Sequence, residues 1–377
     1  MHIVQLNYAY EPDILQPAEL LARYTTLTGW SEALLRAGAS QVTVVQLFGR
    51  DADLLCNGVS YHLRRDPMIW PRRLHQVVAA LRPSLIHVNG LTFAWQLWQL
   101  RRSLPMRIPL LAQDHGNAFH ADPLRRALVR RGLRAADAFM FSAEALATPW
   151  RAAGLIAPTQ PVYAVMESST TLRPLSRELA RASSGVSGHP AILWVGRLNA
   201  NKDPLTALDG FERALARLPD AQLTMVYSME ELLPQIQARL AASPTLAARV
   251  QLRGRIAHDE LAAFYSAADL FVLGSHHEGS GYALIEALAC GLTPIVTDIP
   301  SFRALTNNGA LGVLWPVEDA NTLAHALIQQ GSYTTTQRSR QRVVITQHFA
   351  RALSWDALGR RALEVYKSTE DRLKTKE

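Results

Sequence analysis

The segment HHEGSGYALIEALACG, residues 276–291, follows the apolar run Leu270–Gly274, and its reading decides the fold. The preceding run has the length and composition of a buried strand. The stretch Tyr282–Ala289, closed by Gly291, has those of a helix with a glycine stop. The local order is therefore strand, glycine-rich loop, helix. Gly279 and Gly281 allow close backbone approach to a ligand, Ser280 adds a hydroxyl donor, and the N–H groups opening the helix favour an anion. Glu278 stands in the loop, and Glu286 sits inside an otherwise apolar helix. A carboxylate among Leu, Ile and Ala is costly to bury without a donor. The two hydroxyls of a ribose are a fitting donor pair. The plainer alternative is a solvated Glu278 with a core Glu286 paired to an arginine.

The same alternation extends outward from this unit. Strand-like runs at Ala191–Val195, Gln222–Tyr227, Val250–Leu252, Leu270–Leu273, Thr293–Thr297 and Gly312–Leu314 are separated by helical stretches. A second set lies upstream, at His2–Leu6, Gln41–Phe48, Leu85–Val88, Pro109–Gln113, Ala138–Ser142 and Val162–Val165. Glu167–His189, rich in Ser, Thr, Arg and Gly, separates the two sets, and the chain beyond Gln337 is helical in pattern. This predicts an α/β protein of two Rossmann-like, doubly wound domains: residues 1–170, a linker at 171–189, residues 190–345, and a helical tail at 346–377. Ligands of such sheets bind outside the carboxyl ends of the strands, so the expected site lies in the inter-domain cleft.

At 377 residues the length suits two to three domains. Composition, 48% apolar and 19% charged, supplies large cores and excludes a disordered chain. Two cysteines make no disulfide framework, which with the apolar setting of Cys290 points to a reducing compartment. The opening MHIVQLNYAY reads as a strand rather than a signal peptide, and no run is long and apolar enough to span a membrane. A cytoplasmic protein is expected. The net charge of +7 is almost all arginine, a compositional bias, and no nucleic-acid partner is expected. Against that bias Lys202, the only lysine before Lys367, stands out. It follows Gly196 and Arg197 at the carboxyl end of a strand, where an arginine and a compact ammonium suit a diphosphate. His115, set between Asp114 and Gly116 at another strand end, is placed to meet a ligand.

The E-x7-E spacing of Glu278 and Glu286, with Gly279-Ser280-Gly281 behind the first, resembles the family-4 retaining glycosyltransferases of the GT-B fold. The G-R-x4-K run of Gly196, Arg197 and Lys202 matches that family's pattern as well. The resemblance implies transfer of a sugar from a nucleotide-diphosphate donor to an acceptor hydroxyl with retention. Glu278 would then lie beside the donor sugar, with the loop amides, Arg197 and Lys202 on the diphosphate. Glu286 would hold the ribose, Arg255 and Ile256 the base, and His115 the sugar from the first domain. It also implies a metal-independent enzyme, with the nucleotide sugar as substrate and no cofactor; the acceptor, glycan, lipid-linked or small molecule, is not identified. The chain departs from the family in its first loop, Asn7–Pro17, which has no glycine, and at Met166–Thr170, where a P-N-G is frequent.

Other readings stay open at this point. A non-catalytic sugar-nucleotide binder would keep the donor residues, and a GT-B epimerase would need no acceptor. Asp51-Ala52-Asp53 has the D-x-D pattern of metal-dependent GT-A enzymes, although such clusters after strands are commonly turns. Adjacent His276, His277 and Glu278 diverge too much for a metal set. Helix 123–134 carries five arginines, with Arg126, Arg130 and Arg134 on one face. It is either a solvated face or a peripheral contact with an anionic membrane.

Overall fold

The computed structural model describes residues 1–116 and 122–375. They form two compact units: Met1–Ser169 with the C-terminal Trp355–Glu377, and Thr170–Ser354.

The first unit holds β1 (His2–Asn7), β2 (Gln41–Leu47), β3 (Ala52–Cys56), β4 (Val59–Arg64), β5 (Leu85–Asn89), β6 (Leu110–Gln113), β7 (Ala138–Phe141) and β8 (Val162–Ala164). They lie in the order β3-β4-β2-β1-β5-β6-β7-β8. All neighbours are parallel except β3 and β4. Helices cover both faces, which is why β1 and β2 read as nearly unbroken apolar runs. The hairpin β3–β4 was not expected from alternation. It turns on Asn57-Gly58, both at positive φ, the dipeptide that suits a two-residue hairpin turn. The stretch between β1 and β2 holds two helices, Pro17–Arg23 and Thr25–Arg36, broken at Tyr24, whose ψ of 68° is not helical.

The second unit holds β9 (Ala191–Gly196), β10 (Gln222–Tyr227), β11 (Val250–Gly254), β12 (Leu270–Leu273), β13 (Thr293–Thr297) and β14 (Val313–Trp315), all parallel, in the order β11-β10-β9-β12-β13-β14. Two boundaries differ from the sequence expectation. Residues 171–189 are not a free linker. Helix Arg177–Ser184 packs on the second unit with Ala180 and Val186 buried, and Arg177 binds the buried carboxylate of Asp269 at 2.6 Å. Arg338 holds the same carboxylate at 3.0 Å. The tail is likewise divided at Ser354, and the final helix, Trp355–Lys374, belongs to the first unit. It crosses helix Thr25–Arg36 closely because each offers a glycine. A Cβ on Gly29 would lie 2.6 Å from the Trp355 ring, and one on Gly359 would lie 2.4 Å from the Ala33 carbonyl oxygen. The Tyr366 hydroxyl on that helix accepts from the Trp30 indole at 3.3 Å and donates to His87 Nδ1 at 2.7 Å. Burial pushes the His87 imidazole down to about 3, so it is neutral and can accept.

In both sheets the chain reverses its direction of strand addition once, between β1 and β5 and between β9 and β12. The carboxyl ends at such a switch point leave a crevice. Each unit has a cavity there.

Candidate functional site

In the second unit the cavity measures about 570 Å³ and lies beyond the ends of β9, β10 and β12. β9 delivers Gly196 and Arg197 to its wall, and the turn after it delivers Lys202. Trp194 explains the glycine at 196, since a Cβ there would come within 3.0 Å of the indole. The loops after β9 and β12 are stitched together. Asn201 donates to the His277 carbonyl at 3.0 Å and accepts from the His277 amide at 3.1 Å, while the His276 amide donates to the Asn201 carbonyl at 2.8 Å. Gly274 permits this approach, as a Cβ there would sit 3.0 Å from the Asp203 carbonyl. Asp203 adopts positive φ and accepts from the Thr206 amide, opening helix Pro204–Leu215.

This stitching brings Lys202 to Glu278. The ammonium binds Glu278 Oε1, which also accepts from Ser275 Oγ at 2.6 Å. Both side chains are largely buried, so the pair is held in one geometry rather than solvated. Arg197 and Arg255 line the same cavity, exposed and without a carboxylate partner among the described residues, and Ile256 adds an apolar wall. Ser280, Tyr282 and Ala283, at the start of helix Tyr282–Ala289, close another side, so that a helix N-terminus borders the cations. Gly281 serves a different purpose from the one expected. It stands at φ +70°, and a Cβ on it would meet Phe302 at 2.9 Å. It is glycine for the turn and for packing, not for ligand approach.

Glu286 is buried at 4% exposure and does have donors, though not an arginine. Tyr265 donates to its Oε2 at 2.9 Å and His258 Nε2 to its Oε1 at 2.8 Å. The hydrogen bond that His258 donates to Glu286, ahead of the opposing effect of burial, holds His258 above its ordinary pKa. His258 lines the cavity and Glu286 lies behind it. Neither His258 nor Tyr265 was singled out from sequence, because both come from the segment before β12 and meet Glu286 only in the fold.

His115 belongs to the first unit and therefore to the other cavity, about 470 Å³ beyond the ends of β1, β2, β5 and β6. Its Nδ1 binds Glu167, and its Nε2 donates to Asn89 Oδ1 at 3.2 Å. Burial opposes the charged ring, but the charge and hydrogen bond of Glu167, helped by Asp114, prevail and raise its pKa. Glu167 was read only as a departure from a family motif; it is the counter-ion of His115.

Asp51 and Asp53 are occupied by the protein itself. Asp51 accepts from the Arg65 amide at 2.8 Å and from Arg73 at 2.5 Å. Asp53 accepts from His62 at 2.6 Å and pairs with Arg64 at 2.8 Å. The Arg65 backbone amide, ahead of the Arg73 guanidinium, holds Asp51 below the usual carboxylate range, and the Arg64 guanidinium does the same for Asp53; the D-x-D pattern is a structural feature of the edge hairpin. Helix Pro123–Leu133 exposes Leu124 (79%) and Leu128 (55%) beside its arginines.

The architecture and the second cavity define a class. The description Glycosyltransferase Family 4 matches residues 26–163 and Glycosyl transferases group 1 matches residues 189–330, so the two units carry one half of the family each. The chain belongs to the group 1, family 4 glycosyl transferases. Among its relatives, GDP-mannose:cellobiosyl-diphosphopolyprenol alpha-mannosyltransferase of Xanthomonas campestris is 28% identical over 245 residues, 63% of this chain and 62% of that protein. D-inositol 3-phosphate glycosyltransferase of Rhodococcus opacus is 29% identical over 204 residues, 52% of this chain and 45% of that protein. The chain thus matches less than two thirds of these relatives' length. Among solved structures, a glycosyltransferase of Rickettsia africae superposes with a TM-score of 0.73 at 15% identity, covering 98% of each chain. HepE of Anabaena, solved with UDP and glucose, gives 0.68 at 18%, covering 98% of this chain and 100% of that one. These likenesses establish the GT-B fold.

Proposed function

We propose that the protein transfers a sugar from a nucleoside-diphosphate donor to an acceptor hydroxyl, with the diphosphate seated in the second unit's cavity. The observation that carries this is the convergence of Arg197, Lys202 and Arg255 with a helix N-terminus at the β9–β12 switch point. Three cations face one carboxylate there, an excess suited to a diphosphate. When the bond from the anomeric carbon to the diphosphate oxygen breaks, negative charge grows on the departing phosphate. Lys202, preorganised by Glu278 and Ser275, stabilises it without reorganisation. The acceptor oxygen forms the new bond to the anomeric carbon and its proton leaves with the phosphate. Glu278, on the cavity wall, accepts from a donor-sugar hydroxyl. The ribose assignment to Glu286 takes a more specific form: because His258 stands between that carboxylate and the cavity, the diol meets the His258–Glu286 pair.

Retention of configuration and independence from metal are parts of this proposal. They are supported by the family and by side-chain cations that supply the charge a divalent ion would bring. Peripheral membrane contact through helix Pro123–Leu133 is a further part, supported by exposed Leu124 and Leu128 among arginines. The test is a turnover panel of UDP-, GDP- and ADP-sugars with sugar acceptors in chelator, with the product anomer read by NMR. One donor consumed, with retained configuration, supports the proposal. Binding of nucleotide with no turnover favours a non-catalytic sensor, consumption of donor without acceptor favours an epimerase, and loss of turnover in chelator removes metal independence.

A further inference from the structure

A further recess of the Thr170–Ser354 unit lies at the opposite edge of its sheet from the cavity that holds Lys202. It measures about 450 Å³ and sits at the amino ends of β9, β12 and β13, with Asp269 just ahead of β12. Two helices wall it. Helix Arg177–Ser184 supplies Arg177 and Arg181, and helix Thr335–His348 supplies Thr335, Arg338, Ser339 and Arg342. Spacings of three and four residues place each set on one helix face. Four guanidiniums therefore line one recess, and Asp269 is the one acidic residue among the described residues around it.

That carboxylate is buried, its side chain 1% exposed, and already engaged. It accepts from the Ala191 amide at 2.9 Å and lies 2.6 Å from Arg177, 3.0 Å from Arg338 and 3.8 Å from Arg181. Arg342 has no carboxylate within ion-pair distance among the described residues; it donates to the carbonyls of Ser266 and Ala268 at 3.3 and 2.9 Å. Gly291 admits its stem, since a Cβ there would lie 2.5 Å from Arg342 Cγ. Tying the two helices to the sheet takes one arginine from each, and Arg177 and Arg338 do this. Arg181 and Arg342 exceed that need and are costly to hold. Burial, then repulsion from Arg177, lowers the pKa of both, and the attraction of Asp269 does not make up the difference. Partly buried cations in excess of their counter-charge are unfavourable until an anion joins them. A guanidinium fork matches two oxygens of a phosphoryl group, and the hydroxyls of Thr335 and Ser339 add donors on the same wall. The volume exceeds that of a bare ion and suits a small molecule.

We propose that this recess binds a small phosphoryl-bearing anion, gripped between Arg177 and Arg181 on one helix and Arg338 and Arg342 on the other, at a site separate from the donor cavity. The site stands independently of the transfer reaction. The experiment is calorimetric titration of the full chain with inorganic phosphate, pyrophosphate and glucose 6-phosphate in about 0.15 M chloride, which screens exposed charge. Three proteins are compared. Beside the wild type, Ser339→Glu places a carboxylate on the recess from an exposed helix position, and the double variant Arg197→Ala, Lys202→Ala disarms the donor cavity. Saturable binding of at least one probe is expected in the wild type, weakened about tenfold or more by Ser339→Glu because like charge now opposes the anion. The double variant should retain it, and the ligand-free Tm of each variant reports that it is folded. Hydrogen exchange in residues 177–184 and 335–348 should slow when the probe is bound. Binding of none of the three probes, equal affinity in Ser339→Glu, or loss of all binding in the double variant overturns the proposal.

Discussion

The two cavities occupy the same place in two similar sheets and have opposite chemistry. β9 ends in Gly196 and β12 is followed by Gly274, and the turns beyond bring arginines, a lysine and a helix N-terminus. Around the first unit's cavity β1, β5 and β6 end in Asn or Gln and β2 carries Gln46 one residue before its end, with one imidazole–carboxylate pair and no lining Arg or Lys among the described residues. The fold specifies where a ligand sits; the last residue of each strand and the turn after it specify what the ligand is. A charged diphosphate suits the first set, whereas the second offers amide donors and acceptors without a lining Arg or Lys among the described residues. Lys202 and His115 illustrate the difference. Each is a nitrogen side chain held by one glutamate, but Lys202 has Arg197 and Arg255 around its cavity, whereas His115 has carboxamides.

The largest expected effect falls on the charged side. Lys202→Ala should lower kcat/KM about 10²–10³-fold, the usual loss when one donor to a developing oxyanion is removed. Steady-state kinetics would check it; an unchanged kcat/KM would break the separation. A smaller effect is expected on the neutral side from Glu167→Gln. His115 has its folded pKa raised, so its pairing stabilises the protein fully below the unfolded value near 6.5 and is lost as pH rises through the folded value. Removing the carboxylate should lower the imidazole pKa in NMR titration and flatten the fall of Tm above about pH 6.5. An unmoved imidazole would mean that Glu167 does not set its charge.

How much of this could be read from sequence depended on the distance between partners. The strand–loop–helix around Glu278, and the run from Gly196 to Lys202, are local patterns whose residues reach one cavity wall. Alternation sufficed for the doubly wound class. Contacts made across the fold were hidden: Glu167 with His115, and Tyr265 and His258 with Glu286. The row of carboxamides lining the first unit's cavity was half visible. Asn7, Asn89 and Gln113 each close an apolar run and Gln46 interrupts one, but they become a row only once β2, β1, β5 and β6 are known to be neighbours. The β3–β4 hairpin did carry a local signal, Asn57-Gly58, which the Asp51-Ala52-Asp53 pattern just before it obscured. Division of the tail at Ser354 depended on the crossing of Gly29 and Gly359 with Trp355 and Ala33, which no periodicity reveals.

The most direct measurement is calorimetric titration of the protein with UDP, GDP and ADP in chelator, repeated with Glu286→Ala. The expected result is saturable binding of one nucleotide without metal, weakened at least tenfold in the variant, whose loss also frees His258 from its partner. Absence of binding by all three without a divalent ion, or equal affinity in the variant, would contradict the placement of a nucleoside diphosphate in the second unit's cavity.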